Sequence, residues 1–271
     1  MPQIKTISQS SLQDYADCPR RFELRYIQRL NYPAVQAEPA LENEKHQQEG
    51  EYFHRLAQQY FVGVPMEVLA RQANTENLRR WLQNFSSSTK IAALKKQNVR
   101  AEAALSAPLG KFRLVAKYDL LAADKDKIFI YDWKTYRKRP ADIFMKDRWQ
   151  TRVYCALLLR AGASFYGGQN IQPEQVEMVY WYANFPGEAA HFVYSAAQFK
   201  RDWDNLIALA EELDSATTFP MTDDIKTCGY CPYRSYCNRG VRAESAEDAE
   251  LETAAEESFD LNFEEIAEIA L

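Results

Sequence analysis

The chain has 271 residues, 46% of them hydrophobic and 26% charged, a globular composition long enough for one large domain or two small ones. Its five cysteines are too sparse for a disulfide scaffold, the first residues hold no apolar core of signal-peptide length, and no run of about 18 apolar residues is present to span a membrane. The net charge of −5 divides unevenly: residues 241–271 hold eleven acids and one base, while residues 1–240 hold 32 bases and 27 acids and so carry +5.

A cytoplasmic setting is expected, where clustered cysteines bind metal more often than they pair. No internal repeat is visible. In chain order, Ser10 and Gln13 stand at capping-box spacing ahead of a helix carrying Leu12, Tyr15 and Phe22. Pro19 suits the first turn of a second helix, Pro19 to Arg29. Residues 44–62 and 75–97 read as helices. Three strands follow, Val99–Pro108, Lys111–Ala122 and Lys127–Thr135, with turns at APLGKF and ADKDK. Residues 143–161 read as a helix. The strands Gln175–Asn184 and Ala189–Tyr194 come next, joined by a turn at FPGE, and residues 196–214 form a last long helix. This order predicts an α/β fold with a mixed central sheet flanked by helices. No GxGxxG or GxxxxGK[ST] string is present, so neither a dinucleotide nor a P-loop site has support.

The sharpest local pattern is IFIYDWKTY, which ends a strand with Asp132 and Lys134 on one face. By itself this is an ordinary strand-end ion pair. The preceding strand carries Asp119, expected to share a face with Arg113 and Lys117, opposite Leu114, Ala116, Tyr118 and Leu120. Two acids on adjacent strands repel unless a cation lies between them, and magnesium or manganese favours such oxygen sites. His54 follows Gly50 by four residues, at the border of an apolar helix face. A packed, hydrogen-bonded histidine is its plainer reading. Gln150 and Tyr154 share one face of a later helix.

TCGYCPYRSYCNRG holds Cys228, Cys231 and Cys237, close enough in sequence to serve one metal centre. Cys18, beside Pro19, is the best fourth ligand, whereas Cys155 lies in the apolar CALLL run and reads as a core thiol. Four thiolates can hold zinc or a [4Fe–4S] cluster.

Taken in order, SQSSLQDYADCPRRFELRY, Gly50-x-x-x-His54, Asp119, Asp132-Trp133-Lys134, Gln150-x-x-x-Tyr154 and the last three cysteines resemble the RecB-like PD-(D/E)XK exonucleases that carry an iron–sulfur cluster. That group includes CRISPR-associated adaptation exonucleases and the nuclease domains of recombination helicase–nucleases. The resemblance implies a restriction-endonuclease-like fold over residues 1–240, with N- and C-terminal segments joined by a four-cysteine cluster, and residues 241–271 as an acidic tail. It implies metal ligation by His54, Asp119, Asp132 and the Trp133 carbonyl. It gives Lys134 the task of positioning water and steadying charge on phosphate, and Gln150 and Tyr154 a supporting and substrate-contacting one. It favours [4Fe–4S] on Cys18, Cys228, Cys231 and Cys237. DNA, single-stranded or with free ends, is the implied substrate, with Mg²⁺ or Mn²⁺ as cofactor.

Arg20, Arg21, Arg25, Arg137, Lys138, Arg139, Arg148 and Arg152 are candidates to follow the backbone phosphates. Tyr26, Tyr136 and Trp149 are candidates to stack on bases. The tail reads as a solvated extension or, through the apolar side chains of FDLNFEEIAEIAL, as a segment that docks a protein partner. The alternative to a nuclease is a catalytically inactive DNA-binding or assembly module on the same fold.

Overall fold

The computed structural model describes residues 4–30, 40–229 and 231–239; the acidic tail lies outside the described residues. A mixed sheet forms the middle of the molecule. It is built from β1 (Thr6–Ser8), β2 (Asn98–Leu109), β3 (Phe112–Asp124), β4 (Lys127–Lys134), β5 (Val176–Tyr182) and β6 (Phe185–Val193). The path runs β1-β3-β4-β5-β6, with β2 also paired to β3. The β2, β3, β4 meander is antiparallel, while β4–β5 and β1–β3 are parallel. The parallel β4–β5 pair requires a crossover, supplied by α7 (Asp142–Asp147) and α8 (Trp149–Ala161).

Two apolar layers cover the two faces of this sheet. One joins Leu12 and Tyr15 of α1 (Gln9–Asp17), Val153 and Leu157 of α8, and Leu206 of α9 (Ala196–Ser215) to Ile128, Ile130 and Met178 of the strands. The other joins Phe53 and Leu56 of α3 (Ala40–Phe61), with α4 (Met66–Gln72), α5 (Glu76–Ser87) and α6 (Thr89–Leu94), to Tyr131, Trp133 and Trp181. Strand β4 therefore sends its even positions, Ile128 to Lys134, toward the α8 layer and its odd positions toward α3.

Local hydrogen bonding accounts for several departures from the sequence reading. The capping box of α1 is made by Ser8 and Ser11, not Ser10 and Gln13. The predicted helix 75–97 stops at Ser88, whose hydroxyl caps Ile91 and starts α6. The predicted helix 143–161 breaks at Arg148. In an unbroken helix the Met145 carbonyl would accept from Trp149; here it accepts from the Thr151 hydroxyl, and the Trp149 N–H turns to Gln13 instead. The segment after Pro19 is one α-turn, α2 (Pro19–Phe22), continued as a π-helix to Ile27. FPGE is not a turn but the start of β6, an edge strand where Pro186 is tolerated. The short strand β1 and helix α4 had no signal in the sequence.

Candidate functional site

The site begins with a gap in the sheet. Strand β2 pairs with β3 from Phe112 to Ala123, occupying one edge of β3. The other edge is shared: β1 takes Arg113–Val115 and β4 takes Leu120–Asp124. Residues 116–119 of β3 lie between these two partners, and β4 departs there. A strand left without a partner exposes backbone groups that need new ones. Side chains supply them. The Trp133 N–H donates to Asp119 Oδ2 at 2.7 Å, so a carboxylate replaces the missing rung. The Lys117 carbonyl accepts from the Tyr154 hydroxyl at 2.8 Å.

The strand also turns over at this point. Leu114, Ala116 and Tyr118 enter the α8 layer, but Leu120 and Ala122 enter the α3 layer. The predicted alternation, which put Leu120 with Tyr118, is thus corrected. Opposite, the β2–β3 register passes from Ala103↔Tyr118 to Ala101↔Leu120 and skips Glu102, which adopts φ +52°. Such a left-handed residue within an antiparallel pair bends the ladder and here reorients Asp119. Its Oδ1 meets His54 Nδ1 at 3.2 Å, across from α3. Burial by itself pushes the Asp119 carboxyl up, but His54, the Trp133 N–H and Lys134 together hold it below its usual range.

Asp132 and Lys134 occupy the α8 side of β4, as their i, i+2 spacing predicts. The Lys134 ammonium sits 2.7 Å from Asp132 Oδ1, with the two side chains 2% and 1% exposed. Gln150 closes a three-membered ring. Its Nε2 donates to Asp132 Oδ2 at 2.6 Å, and its Oε1 accepts from Lys134 at 3.1 Å. The rings of Tyr136 and Tyr180 flank the ammonium at 5.8 and 5.6 Å. A buried pair of this kind is costly to desolvate and stays only when its remaining hydrogen bonds are made. Gln150 makes them.

A second network, with no signal in the sequence reading, pins the exit of β4. His46 Nε2 donates to the Thr135 carbonyl at 3.0 Å. Asn184 donates to the carbonyls of Thr135 and Tyr136, and its own side-chain oxygen accepts from Trp81 and Arg80. Burial, and next the positive charge of Arg137, push the His46 imidazole below its usual pKa. Gly50 belongs to the same contact: a Cβ there would stand 2.9 Å from Thr135 Oγ1. The glycine lets α3 approach β4 closely enough for His54, one turn on, to meet Asp119.

Residues 6–238 match the PD-(D/E)XK nuclease superfamily. The chain belongs to that superfamily. No curated protein matches the sequence significantly. Solved structures with a similar fold include SSO0001, 15% identical over 89% of this chain and 90% of that one, with a TM-score of 0.40. They also include a candidate exonuclease from Eubacterium rectale, 8% identical over 81% and 85% of the two chains, with a TM-score of 0.49. At these values neither bears on chemistry.

PD-(D/E)XK nucleases typically use divalent metals such as Mg²⁺ or Mn²⁺. The donor set fits such an ion: two carboxylates from neighbouring strands, an imidazole and a main-chain carbonyl. Among the described residues, however, no group of three or more His, Cys, Asp or Glu side chains is set to hold a metal. His54 and Asp119 meet, Asp132 is held by Lys134 and Gln150, and the two halves join through the Trp133 N–H. Hydrogen bonds occupy both Asp119 oxygens and Asp132 Oδ2, while the buried Asp132 Oδ1 is ion-paired to Lys134 and makes no hydrogen bond.

Several candidate substrate contacts have partners within the protein. Arg21 is buried against Asp14 and Asp17, and Arg25 also pairs with Asp14. Arg152 binds Asp202 and covers the Trp149 ring at 4.0 Å. Arg20 pairs with Glu23, and Arg139 with Asp142. Tyr136 is buried and Tyr26 packs on the core. These residues brace the superfamily fold. Tyr154, 1% exposed, does the same, holding β3 open beside Asp119 while its backbone carbonyl accepts from Tyr118.

The cysteines form a separate locus. Cys18, Cys228, Cys231 and Cys237 line one pocket with Arg21, Leu24 and Tyr233. Backbone and side-chain bonds draw the two ends of the described chain together there, Arg20 N–H to the Pro220 carbonyl and the Tyr233 hydroxyl to the Leu30 carbonyl. The four thiols are unbridged. Burial pushes the Cys231 thiol up to about 11, and it also raises Cys237, with Cys18 adding to the effect. The four sulfurs share one pocket, but among the described residues they too form no group set to hold a metal. Cys155 is elsewhere, in the core layer under α8, as its sequence context predicts.

Proposed function

We propose that this chain is a divalent-metal-dependent deoxyribonuclease that shortens DNA from an end. The observation that carries the reading is the interlocked set at the β3–β4 divergence: two acids on neighbouring strands, Asp119 bonded to His54 and the Trp133 N–H, and Asp132 bonded to Gln150 through Oδ2 with its buried Oδ1 ion-paired to Lys134 and making no hydrogen bond. In this reading His54, Asp119, Asp132 and the Trp133 carbonyl hold the ion. A bound divalent cation supplies Lewis acidity toward a phosphoryl oxygen and a water of lowered pKa. Lys134, released from Asp132, steadies charge on the phosphate and orients the water. Gln150 keeps Asp132 in place during that exchange, and Tyr154 keeps the gap in β3 open.

Cys18, Cys228, Cys231 and Cys237 hold a [4Fe–4S] cluster in the same proposal, closing residues 1–240 into one nuclease domain. Residues 241–271 serve as a tail that docks a protein partner, and the setting is cytoplasmic. DNA repair and recombination, or CRISPR spacer processing, are the pathways this chemistry suits. The pattern of Gly50-x-x-x-His54, Asp119, Asp132-x-Lys134 and Gln150-x-x-x-Tyr154 supports the exonuclease part.

The test is purification without oxygen, a visible absorption scan, and incubation with Mg²⁺ or Mn²⁺ on end-labelled single- and double-stranded DNA. The expected result is metal-dependent shortening that EDTA stops. DNA binding with no cleavage under any divalent ion would establish the inactive module instead.

A further inference from the structure

Helix α7 links the two elements that hold Asp132: it starts eight residues after Lys134 and ends three before Gln150. It is anchored on one side only. Met145 is fully buried, and its carbonyl accepts from the hydroxyl of Thr151, the neighbour of Gln150. On the other side Ile143 and Phe144 are 66% and 40% exposed. Exposing two adjacent large apolar side chains on a one-turn helix costs burial that the fold does not recover. Their surroundings are cationic. Residues 137–148 hold five bases, Arg137, Lys138, Arg139, Lys146 and Arg148, against Asp142 and Asp147, a net of +3. The Arg148 guanidinium lies 5.2 Å from the Phe144 ring centroid.

We propose that Phe144, with Ile143 beside it, stacks on an unpaired nucleobase at the end of the DNA strand, on the helix that leads from β4 to Gln150. An aromatic face with a planar cation next to it suits a base, whose π-surface stacks regardless of sequence. The surrounding positive charge suits the strand's phosphates. Because Met145 ties α7 to the residue after Gln150, the base platform and the carboxylate it serves move as one. This rests on the nuclease reading and deepens it: the favoured substrate is an unpaired end.

The experiment uses the full chain in EDTA and measures binding of fluorescein-labelled oligothymidine by anisotropy, with and without abasic positions at its end. Phe144→Ala is expected to weaken binding to the intact strand about 5- to 100-fold and to change binding to the abasic strand little. Equal loss on both strands, or no loss on either, overturns the proposal. So does an unchanged affinity with an altered elution volume on gel filtration, which would make the patch a contact between copies. Ile143→Ala, at a more exposed position, repeats the test should Phe144→Ala unfold. Wild-type cleavage with Mg²⁺ is followed in parallel. Cleavage that ignores both substitutions removes this inference alone, whereas absent cleavage and absent binding remove the nuclease reading beneath it.

Discussion

The gap in β3 and the cysteine pocket both gather residues from distant parts of the chain, but the two are finished to different degrees. At the gap three of the four carboxylate oxygens accept hydrogen bonds, from His54, the Trp133 N–H and Gln150, and buried Asp132 Oδ1 is met by the Lys134 ammonium as an ion pair without a hydrogen bond. That site is pre-organised around cations the protein itself provides. In the pocket burial raises the Cys231 and Cys237 thiols above their usual range, and the nearby Arg21 and Arg20 offset this only in part. An ion arriving at the gap competes with built-in partners. One arriving at the pocket, as proposed above, meets buried thiols with arginines beside them. Weak, exchangeable binding suits the first and permanent binding the second.

Asp132→Asn should break this contrast most severely. Cleavage of end-labelled DNA is expected to fall at least about a thousandfold, while visible absorption from the cysteine centre stays unchanged. The substitution also strands the Lys134 ammonium, costing about 3 kcal/mol of stability by denaturant titration. Asp132→Asn with Lys134→Met should regain most of that stability and none of the activity. If the double variant is no more stable than the single, the ion pair is not what the geometry implies.

Cys18→Ser should do the reverse. Visible absorption is expected to disappear and the midpoint to fall by about 6–12 °C, equivalent to roughly 3 kcal/mol for a chain of this size. Cys155→Ala keeps the absorption. A Cys18→Ser protein with undiminished colour would exclude the fourth thiol from the centre.

Smaller effects test how the gap is held. Tyr154→Phe leaves the Lys117 carbonyl without its donor and should cost about 1–2 kcal/mol, with cleavage reduced far less than by Asp132→Asn. Gly50→Ala sets the contact with Thr135 Oγ1 against a better helix former. The net loss should be about 1 kcal/mol, and Thr135→Ala should suppress it. A Gly50→Ala protein as stable and active as wild type would show that α3 has room to spare.

His46 gives the smallest effect, read through pH. Its folded-state pKa lies below the ordinary 6.5, so the unfolded chain binds the proton more readily. The stability it contributes is complete above about 6.5 and is lost as pH falls toward the folded value. His46→Gln should flatten the stability profile over that range, and an unchanged slope would assign the acid sensitivity elsewhere.

Much of the frame was legible because the signals are local. The β2–β4 meander was delimited nearly to the residue by its alternation and its turns. The shared face of Asp132 and Lys134 follows from strand geometry alone, and the core placement of Cys155 from its apolar neighbours. Long-range competition for hydrogen bonds was not legible. Thr151 takes the Met145 carbonyl and splits one predicted helix. Glu102, in a left-handed conformation with no glycine to announce it, turns Asp119 toward His54 and moves Leu120 to the other face. For a related reason the ion pairing of three candidate phosphate contacts was not legible: the fold brings Asp14 to Arg21 and Arg25, and Asp202 to Arg152.

The order of the motifs, the division into a basic body and an acidic tail, and the pairing of Asp132 with Lys134 were properties of the sequence, because periodicity, charge and spacing along a strand need no knowledge of what packs nearby. Only the tertiary structure decided that β1 and β4 leave a gap on one edge of β3, that Asp119, His54 and Tyr154 meet there, and that Phe144 stands exposed on α7. Those outcomes depend on which backbone groups lose a partner when strands diverge, and that is settled by the whole sheet at once.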